Sequence, residues 1–231
     1  MRGVKFGILH TFEQWKLILT TTNIGFPETK TEIVDVPGAD GELDFTTSLT
    51  DDVKYKNRTI TFTFVTLEKY KKWKSLLSEI ANYLHGQKFK IILDEDPNFY
   101  YYGRAKINQF QSNKSIGTIT IECDVEPYKY DLYASNEDWL WDPFSFEDGI
   151  INETKDLQIN ESLEVKVYGR RKKVVPKITC DNPIKLIFKG QEYNLPIGTS
   201  YSPDIEICEG ENILKFVGTG TVTIEYRGGS L

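Results

Sequence analysis

Asp94, Glu95 and Asp96 are three consecutive acidic residues, and carboxylates are ligands that a calcium ion prefers. A calcium-binding loop that began at Asp94 would need glycine at its sixth position and a bidentate carboxylate at its twelfth. The sequence places Phe99 and Ala105 at those two positions. We therefore predict a solvated turn here and no metal site.

Catalytic motifs are missing from the sequence as well. It contains no G-x-S-x-G nucleophile elbow, no H-E-x-x-H zinc motif and no phosphate-binding Walker loop. Only His10 and His85 could act as imidazole bases. A carboxylate pair of the glycosidase type stays open, because the sequence does not give separations in space, but no local motif supports one. We expect no catalytic residues, no cofactor and no enzymatic activity.

The three cysteines, Cys123, Cys180 and Cys208, form no C-x-x-C pair and are odd in number. We interpret them as reduced, buried thiols, because a zinc site would need more ligands. The net charge of −6 disfavours a phosphate-binding surface, which needs a basic excess. The N-terminus lacks the apolar stretch of a signal peptide, and no apolar run is long enough to cross a bilayer. We expect synthesis in a cytoplasm and no membrane insertion.

Two tryptophans and one basic run could bind ligands. Trp139 and Trp141 could form a stacking platform for sugar rings, but we favour a role in plugging a junction between domains, since tryptophan buries a large area. The basic run over residues 169–173 could contact phosphate or an acidic partner, and we interpret it as an exposed hairpin turn.

The elements that would position these residues are mainly β. Between Tyr55 and Val65, Ile60, Phe62 and Phe64 alternate with threonines, which predicts a strand with one face on a core and one face in water. Residues 117–125 alternate in the same way. A turn is predicted over residues 37–41, where proline and glycines lie together.

One amphipathic helix is predicted after the first of these strands. Its apolar stripe has spacings of three and four residues, with Thr66 as N-cap and Gly86 as the stop. We expect the stripe to cover a sheet; it consists of Tyr70, Trp73, Leu77, Ile80 and Leu84.

The second half of the chain shows no helix pattern. Short β-like segments follow each other at a spacing typical of a β-sandwich or barrel, namely residues 162–168, 174–180, 184–188, 205–208, 213–217 and 221–226. A segment dense in aromatic and acidic residues separates the halves. We predict two domains, residues 1–130 and 131–231.

Several segments in this order resemble a known family. Residues 36–44 read V-P-G-A-D-G-E-L-D, residues 53–62 read V-K-Y-K-N-R-T-I-T-F, and the amphipathic helix follows. Y-G-R at 102–104 and E-P-Y-K at 126–129 come later, and the C-terminal residues 210–229 have a β-sandwich pattern. Together these segments resemble the distal tail proteins (Dit) of long-tailed bacteriophages and prophages of Gram-positive hosts.

The resemblance implies a mainly β fold. Its N-terminal domain would be a ring-forming, tail-tube-like α+β domain, built as a β-sandwich or split barrel with one amphipathic helix. Six copies would close into a ring that continues the tail tube and leaves a channel for passing DNA. The C-terminal domain would be a galectin-like or carbohydrate-module-like β-sandwich that docks other baseplate parts. The resemblance places the protein at the virion tail tip. Its partners would be itself, the tail tube, tape measure and tail-tip or tail-associated lysin proteins, and receptor-binding or fibre proteins.

A sheet with an exposed face and free edges is a liability in a monomer, and a closed ring removes it. We therefore expect subunit contacts around Asp40, Asp44, Tyr55 and Arg58. Two alternatives stay open: a carbohydrate-binding module that attaches to host cell-wall glycans, and a wall-degrading enzyme. A contractile tail or a tail-like bacteriocin could contain a similar hub.

Overall fold

The computed structural model describes residues 2–38, 40–48, 51–113, 115–137 and 153–231. The chain divides into two compact units. Unit 1 comprises the described residues within 1–96 together with Tyr101–Pro127 and Leu231. Unit 2 comprises Pro97–Tyr100 and the described residues within 128–230. The prediction of a mainly β chain is confirmed, since antiparallel sheets dominate both units.

Unit 1 is a curled antiparallel sheet covered by a helix. Its elements are β1 Val4–Phe6, β2 Leu9–His10, α1 Thr11–Trp15, β3 Leu17–Ile24, β4 Ile33–Asp35, β5 Glu42–Asp44, β6 Arg58–Thr66, α2 Trp73–Leu84, β7 Lys88–Leu93, β8 Asp96–Ser112 and β9 Gly117–Val125. Residues 97–100 of β8 are counted with unit 2. The main sheet has the strand order β2-β1-β7-β8-β9-β6-β3, while β4 and β5 pair with each other outside it.

The two end strands of the main sheet, β2 and β3, are joined directly through α1. A flat sheet of these strands would be about 29 Å wide at the usual spacing between strands. The chain from Leu9 to Leu17 reaches at most about 18 Å, because most of it is helical. The sheet must therefore curl so that its two ends approach each other.

The core of unit 1 confirms the alternation predicted for β6. Ile60, Phe62 and Phe64 are fully buried, and the threonines between them lie on the opposite, partly exposed face. The strand runs over Arg58–Thr66 and pairs with β3 on one side and β9 on the other. Apolar side chains from α1, β1, β3, β7, β8, β9 and α2 complete this core.

The predicted helix is present but begins later than expected. Thr66 does not cap it, because Thr66 is the last residue of β6, and its hydroxyl accepts a hydrogen bond from the amide of Glu68. A short 3₁₀ helix over Tyr70–Lys72 precedes α2. Gly86 follows α2 with a positive φ of 79°, which agrees with the predicted stop.

The buried stripe of α2 also differs from the predicted one. Trp73, Leu76, Ile80 and Leu84 are the buried residues, so Leu76 takes the place that was predicted for Leu77. Tyr70 is exposed, because it precedes α2 and its ring packs edge-on against Trp73 with centroids 5.1 Å apart. The prediction that Tyr70 belongs to the core-facing stripe is wrong.

Unit 2 consists of antiparallel strands around a second apolar core. Its elements are β10 Lys129–Asp131, β11 Leu157–Gly169, β12 Lys177–Cys180, β13 Ile184–Phe188, β14 Gln191–Leu195, β15 Gly198–Tyr201, β16 Gly210–Glu225 and β17 Gly229–Ser230. Five of these strands follow the order β14-β13-β16-β12-β15, and β11 pairs with β16.

The pair β11–β16 is bent at its middle by an unusual backbone. Gly218 and Gly220 of β16 have φ angles of 143° and 155°, and Glu161 of β11, which pairs with Gly218, has a φ of 66°. β13 pairs with β16 before this bend and β12 pairs with it afterwards. The bend therefore lets one long ribbon serve two neighbouring groups of strands.

Three sequence predictions for the second half need correction. The glycines at 218 and 220 suggested a turn between two strands, but they lie inside the single strand β16, since glycine accommodates the bend. Residues 205–208 contribute only an isolated bridge at Ile207, while β14 and β15 were not predicted. Cys208 is partly exposed, whereas Cys123 and Cys180 are buried as expected.

Candidate assembly surface

The hairpin of β3 and β6 continues beyond the main sheet as an arm, which comprises the described residues within 25–57. Backbone hydrogen bonds follow it outward, from Gly25 N to Thr59 O at 2.9 Å, then from Lys30 N to Lys54 O at 2.8 Å. The pairing of β4 with β5 extends the ribbon toward its tip. A two-stranded ribbon in water is at best marginally stable by itself, so the arm gains stability only when another surface covers it.

The two faces of the arm differ in chemistry. Val34 and Leu43 pair directly across β4 and β5, and Phe45 lies on the same face because side chains alternate along a strand. These three apolar side chains are 42%, 51% and 44% exposed. This exposed apolar face is the candidate assembly surface of unit 1.

The other face of the arm is acidic. Asp35 and Glu42 pair across the strands, and Asp44 pairs with Ile33 on the same face. Asp44 accepts a hydrogen bond from the amide of Thr46 at 2.8 Å. Hydrogen bonds from the Thr46 hydroxyl and amide lower the pKa of Asp44 from its usual value. This face is therefore charged at neutral pH.

The structure places Asp40, Asp44 and Tyr55 along this arm and Arg58 at its root, in a row and not in one cluster. Asp40 lies exposed in the β4–β5 connection, and Asp44 lies on β5. Half-buried Tyr55 forms a bridge with Thr29 near the root. Arg58 is the first residue of β6, where the arm meets the core. Their role in subunit contacts stays a prediction.

Arg58 is the unexpected member of this group, since only 4% of its surface is exposed. Its guanidinium lies 4.7 Å from the centre of the Tyr101 ring. Among the described residues, Nε and Nη2 of Arg58 have no hydrogen-bond acceptor. Burial lowers the pKa of Arg58 and raises the pKa of Tyr101. A buried cation with two unsatisfied donors is costly, so the root of the arm is an energetically unfavourable point in the isolated chain.

The apolar face of the arm was not predicted from the sequence. The signal lies on either side of the predicted turn, where Leu43 stands between Glu42 and Asp44 and Val34 is followed by Asp35. That pattern predicts a ribbon with one apolar face, but it does not tell whether the chain itself or a partner covers that face. In the structure the chain itself does not cover this face, because Val34 and Leu43 stay exposed.

The candidate ligand-binding residues lie elsewhere. Asp94 is in the predicted turn, where its carboxylate accepts a hydrogen bond from Gly3 N at 2.7 Å and lies 3.2 Å from Nε2 of His10. Within the part of the chain that the structure describes, no group of three or more His, Cys, Asp or Glu residues is placed to hold a metal ion. Trp139 and Trp141 lie outside the described residues, so the glycan and junction hypotheses stay predictions.

The basic run of unit 2 is not a free hairpin turn. Nε of Arg170 lies 2.8 Å from Oδ1 of Asp131, and both side chains are largely buried. Burial raises the pKa of Asp131, and the neighbouring Arg170 opposes that shift. The prediction of an exposed turn is wrong for Arg170, because its charge is used inside the unit.

None of the described helices is long and apolar enough to span a membrane. The sequence matches no protein-family model and no curated protein. A search of solved structures finds the crystal structure of SPP1 Dit (gp 19.1), which is described as a paradigm of the hub adsorption apparatus in phages that infect Gram-positive bacteria. The alignment covers 98% of this chain and 99% of that one, with a TM-score of 0.68 and 10% sequence identity. The resemblance seen in the sequence is therefore confirmed in three dimensions: this chain has the fold of a phage Dit protein over nearly its whole length.

Proposed function

We propose that the chain is a structural hub of a phage tail tip. Copies of it close into a ring, with six as the expected number, which joins the tail tube to the tip apparatus and leaves a channel for DNA. The likeness to a hub protein over 98% of the chain carries this proposal. A partial likeness would support one shared domain, whereas this one includes both units.

The arm of unit 1 supports self-assembly on physical grounds. Its apolar face is exposed, and the ribbon has no core of its own. A closed ring covers such surfaces by giving every copy the same neighbour. We assign ring formation to residues 1–130 and docking of other baseplate proteins to residues 131–231.

The hub works without chemistry of its own. The expected neighbours are the tail tube, tape measure, tail-tip or lysin, and receptor-binding or fibre proteins, and DNA only passes through the channel. A zymogram on purified host cell walls tests the non-enzymatic assignment. Any lysis band that survives in material purified to homogeneity contradicts it.

The mass of the purified chain in solution tests the ring. Light scattering coupled to size-exclusion chromatography, followed by negative-stain microscopy, is expected to show a single species several times the monomer mass with a central hole. The same measurement on protein co-expressed with its genomic neighbours tests whether ring formation requires another tail protein. A chain that stays monomeric at high concentration and forms no ring beside its neighbours contradicts the hub.

A further inference from the structure

The arm carries a concentrated negative charge. Residues 31–53 contain seven acidic residues and no lysine or arginine, namely Glu32, Asp35, Asp40, Glu42, Asp44, Asp51 and Asp52. Asp35 and Glu42 face each other across the ribbon at the same point of the register. A surface that covers the apolar face of the arm therefore binds more favourably when it carries positive charge along its margins.

Unit 1 contains a surface with the opposite character. Between β6 and α2 the sequence reads L-E-K-Y-K-K-W-K, and within it the exposed residues Leu67, Lys69, Tyr70, Lys71 and Lys74 form what we call the basic patch. Leu67 and Tyr70 are 56% and 53% exposed. The patch thus contains two exposed apolar side chains and three exposed lysines within eight consecutive residues.

Tyr70 has a fixed position within the patch. Its ring packs against the buried Trp73, whose indole donates a hydrogen bond to the carbonyl of Glu68 at 2.6 Å. A preorganised aromatic side chain loses little conformational freedom on binding, which is why such residues are frequent anchors of interfaces.

The arm and the basic patch lie at opposite ends of the same strand. The arm joins β6 at Arg58, and Leu67 follows its last residue, Thr66. A strand of nine residues is about 27 Å long between its end residues. Both surfaces are exposed in one chain, so they do not cover each other within that chain.

We propose that the apolar face of the arm of one copy docks on the basic patch of a second copy. Val34, Leu43 and Phe45 cover Leu67 and Tyr70, and the long lysine side chains reach the carboxylates along the ribbon margins. This inference rests on the proposed ring and names the two surfaces that form its repeated contact.

Two different surfaces at opposite ends of a strand produce a head-to-tail contact. Such a contact is heterologous, and it closes into a ring when the rotation between neighbours divides a full turn. The complementary charges also discourage two arms or two patches from meeting, since like charges repel.

Site-specific photo-crosslinking maps the contact directly. A benzoylphenylalanine placed at Leu43 is expected to crosslink to the tryptic peptides around Leu67 and Tyr70. Mixing light and ¹⁵N-labelled protein before irradiation shows whether each crosslink joins two copies. The matched control places the same probe at Ile213, an exposed position of unit 2 that is expected to give no crosslink to the patch. Crosslinks from residue 43 that consistently reach another surface overturn the proposal.

Charge reversal provides an independent measurement. D35K/E42K and K69E/K71E alter exposed side chains only, so each variant is expected to melt like the unaltered chain. Each is expected to raise the concentration for half-assembly by about tenfold, and the combined variant is expected to return to within about threefold of the original. The control D204K/E209K makes the same charge change in unit 2, at exposed acids, and leaves self-assembly unchanged.

The failures of the two proposals are distinguishable. If the unaltered chain never assembles, the proposed hub function is contradicted. The chain could instead assemble into rings while the charge-reversed variants assemble equally well, or while the combined variant assembles no better than the single ones. Either result contradicts only the arm-to-patch contact.

Discussion

The guanidinium of Arg58 stacks over the ring of Tyr101 at 4.7 Å from its centre, at the point where the exposed arm enters the core of unit 1. The aromatic face compensates part of the charge, but Nε and Nη2 remain without acceptors among the described residues. A buried donor without a partner costs about 1–3 kcal/mol, so the buried guanidinium lowers the free energy of unfolding of the isolated chain.

Replacement of Arg58 by methionine tests that cost. We expect R58M to unfold at the same or a higher urea concentration than the unaltered chain, with a gain of up to about 2 kcal/mol, because methionine fills similar space without unsatisfied donors. The measurement is equilibrium urea unfolding of the monomeric fraction. Ile60→Ala in the same strand is the control and should cost about 3 kcal/mol. A loss of more than about 1 kcal/mol in R58M would show that the guanidinium is satisfied after all.

The hydrogen bond between Asp44 and Thr46 predicts a local pH dependence. The folded pKa of Asp44 is lowered, so the stabilisation is present above the ordinary aspartate pKa of about 3.9 and is lost as the pH falls through the folded value. We expect Thr46→Val to move the pKa of Asp44 back toward its ordinary value, because the hydroxyl donor is lost. Carboxyl NMR titration measures this. Thr47→Val leaves the bond intact and serves as the control; equal midpoints in all three proteins would contradict the assignment.

The bend in β16 predicts a steric requirement at Gly220. A Cβ at this position would lie 2.4 Å from Oδ1 of Asp181, and the φ of 155° is one that other residues rarely adopt. We expect Gly220→Ala to lower the free energy of unfolding by about 2–3 kcal/mol. Thermal or urea unfolding followed by circular dichroism measures the change. Thr219→Ala, at an exposed position of the same bend, is expected to stay within about 0.5 kcal/mol.

The ion pair of Arg170 and Asp131 predicts a pH-dependent defect. Arg170→Met leaves a largely buried carboxylate without this cation, and we expect a loss of about 2–3 kcal/mol at pH 7. Burial already raises the folded pKa of Asp131, and removing Arg170 raises it further. Because the folded pKa then lies above the unfolded one, protonation at low pH relieves the defect.

Urea unfolding at pH 7 and pH 4.5 measures this difference, which should shrink at the lower pH. Lys166→Met breaks the solvent-exposed pair with Glu211 and should change stability by less than about 1 kcal/mol at either pH. A deficit in R170M that is equal at both pH values would show that packing of the arginine, and not its charge, is what matters.

The sequence predicted best where a local pattern and the final environment agree. In β6 the alternation of Ile60, Phe62 and Phe64 with threonine predicts the buried face, and the core confirms it. The prediction of Thr66 as the helix N-cap was wrong, because β6 pairs up to that residue and the helix cannot begin there. Glycines at 218 and 220 have the same sequence signature in a turn as in a bent strand, and only the pairing with β11 distinguishes the two.

The candidate surface was predictable only in part. The acids and the turn indicate an exposed hairpin, and Asp40 and Asp44 do lie on it. The exposure of Val34 and Leu43 and the burial of Arg58 depend on how far the ribbon extends beyond the main sheet. That distance is set by contacts between segments far apart in the chain, which a local pattern does not contain.

The arm continues β3 on one side and β6 on the other, and backbone hydrogen bonds from Gly25 to Thr59 and from Lys30 to Lys54 join its two strands near the root. β6 is hydrogen-bonded along its length to β3 on one side and to β9 on the other. A pull along the arm loads β3 and β6 together, so it shears the ladder between β6 and β9 as a whole instead of opening its hydrogen bonds one after another. A force applied at the root of the arm is therefore transmitted to β6 in the core of unit 1, and a displacement of β6 moves the root in return.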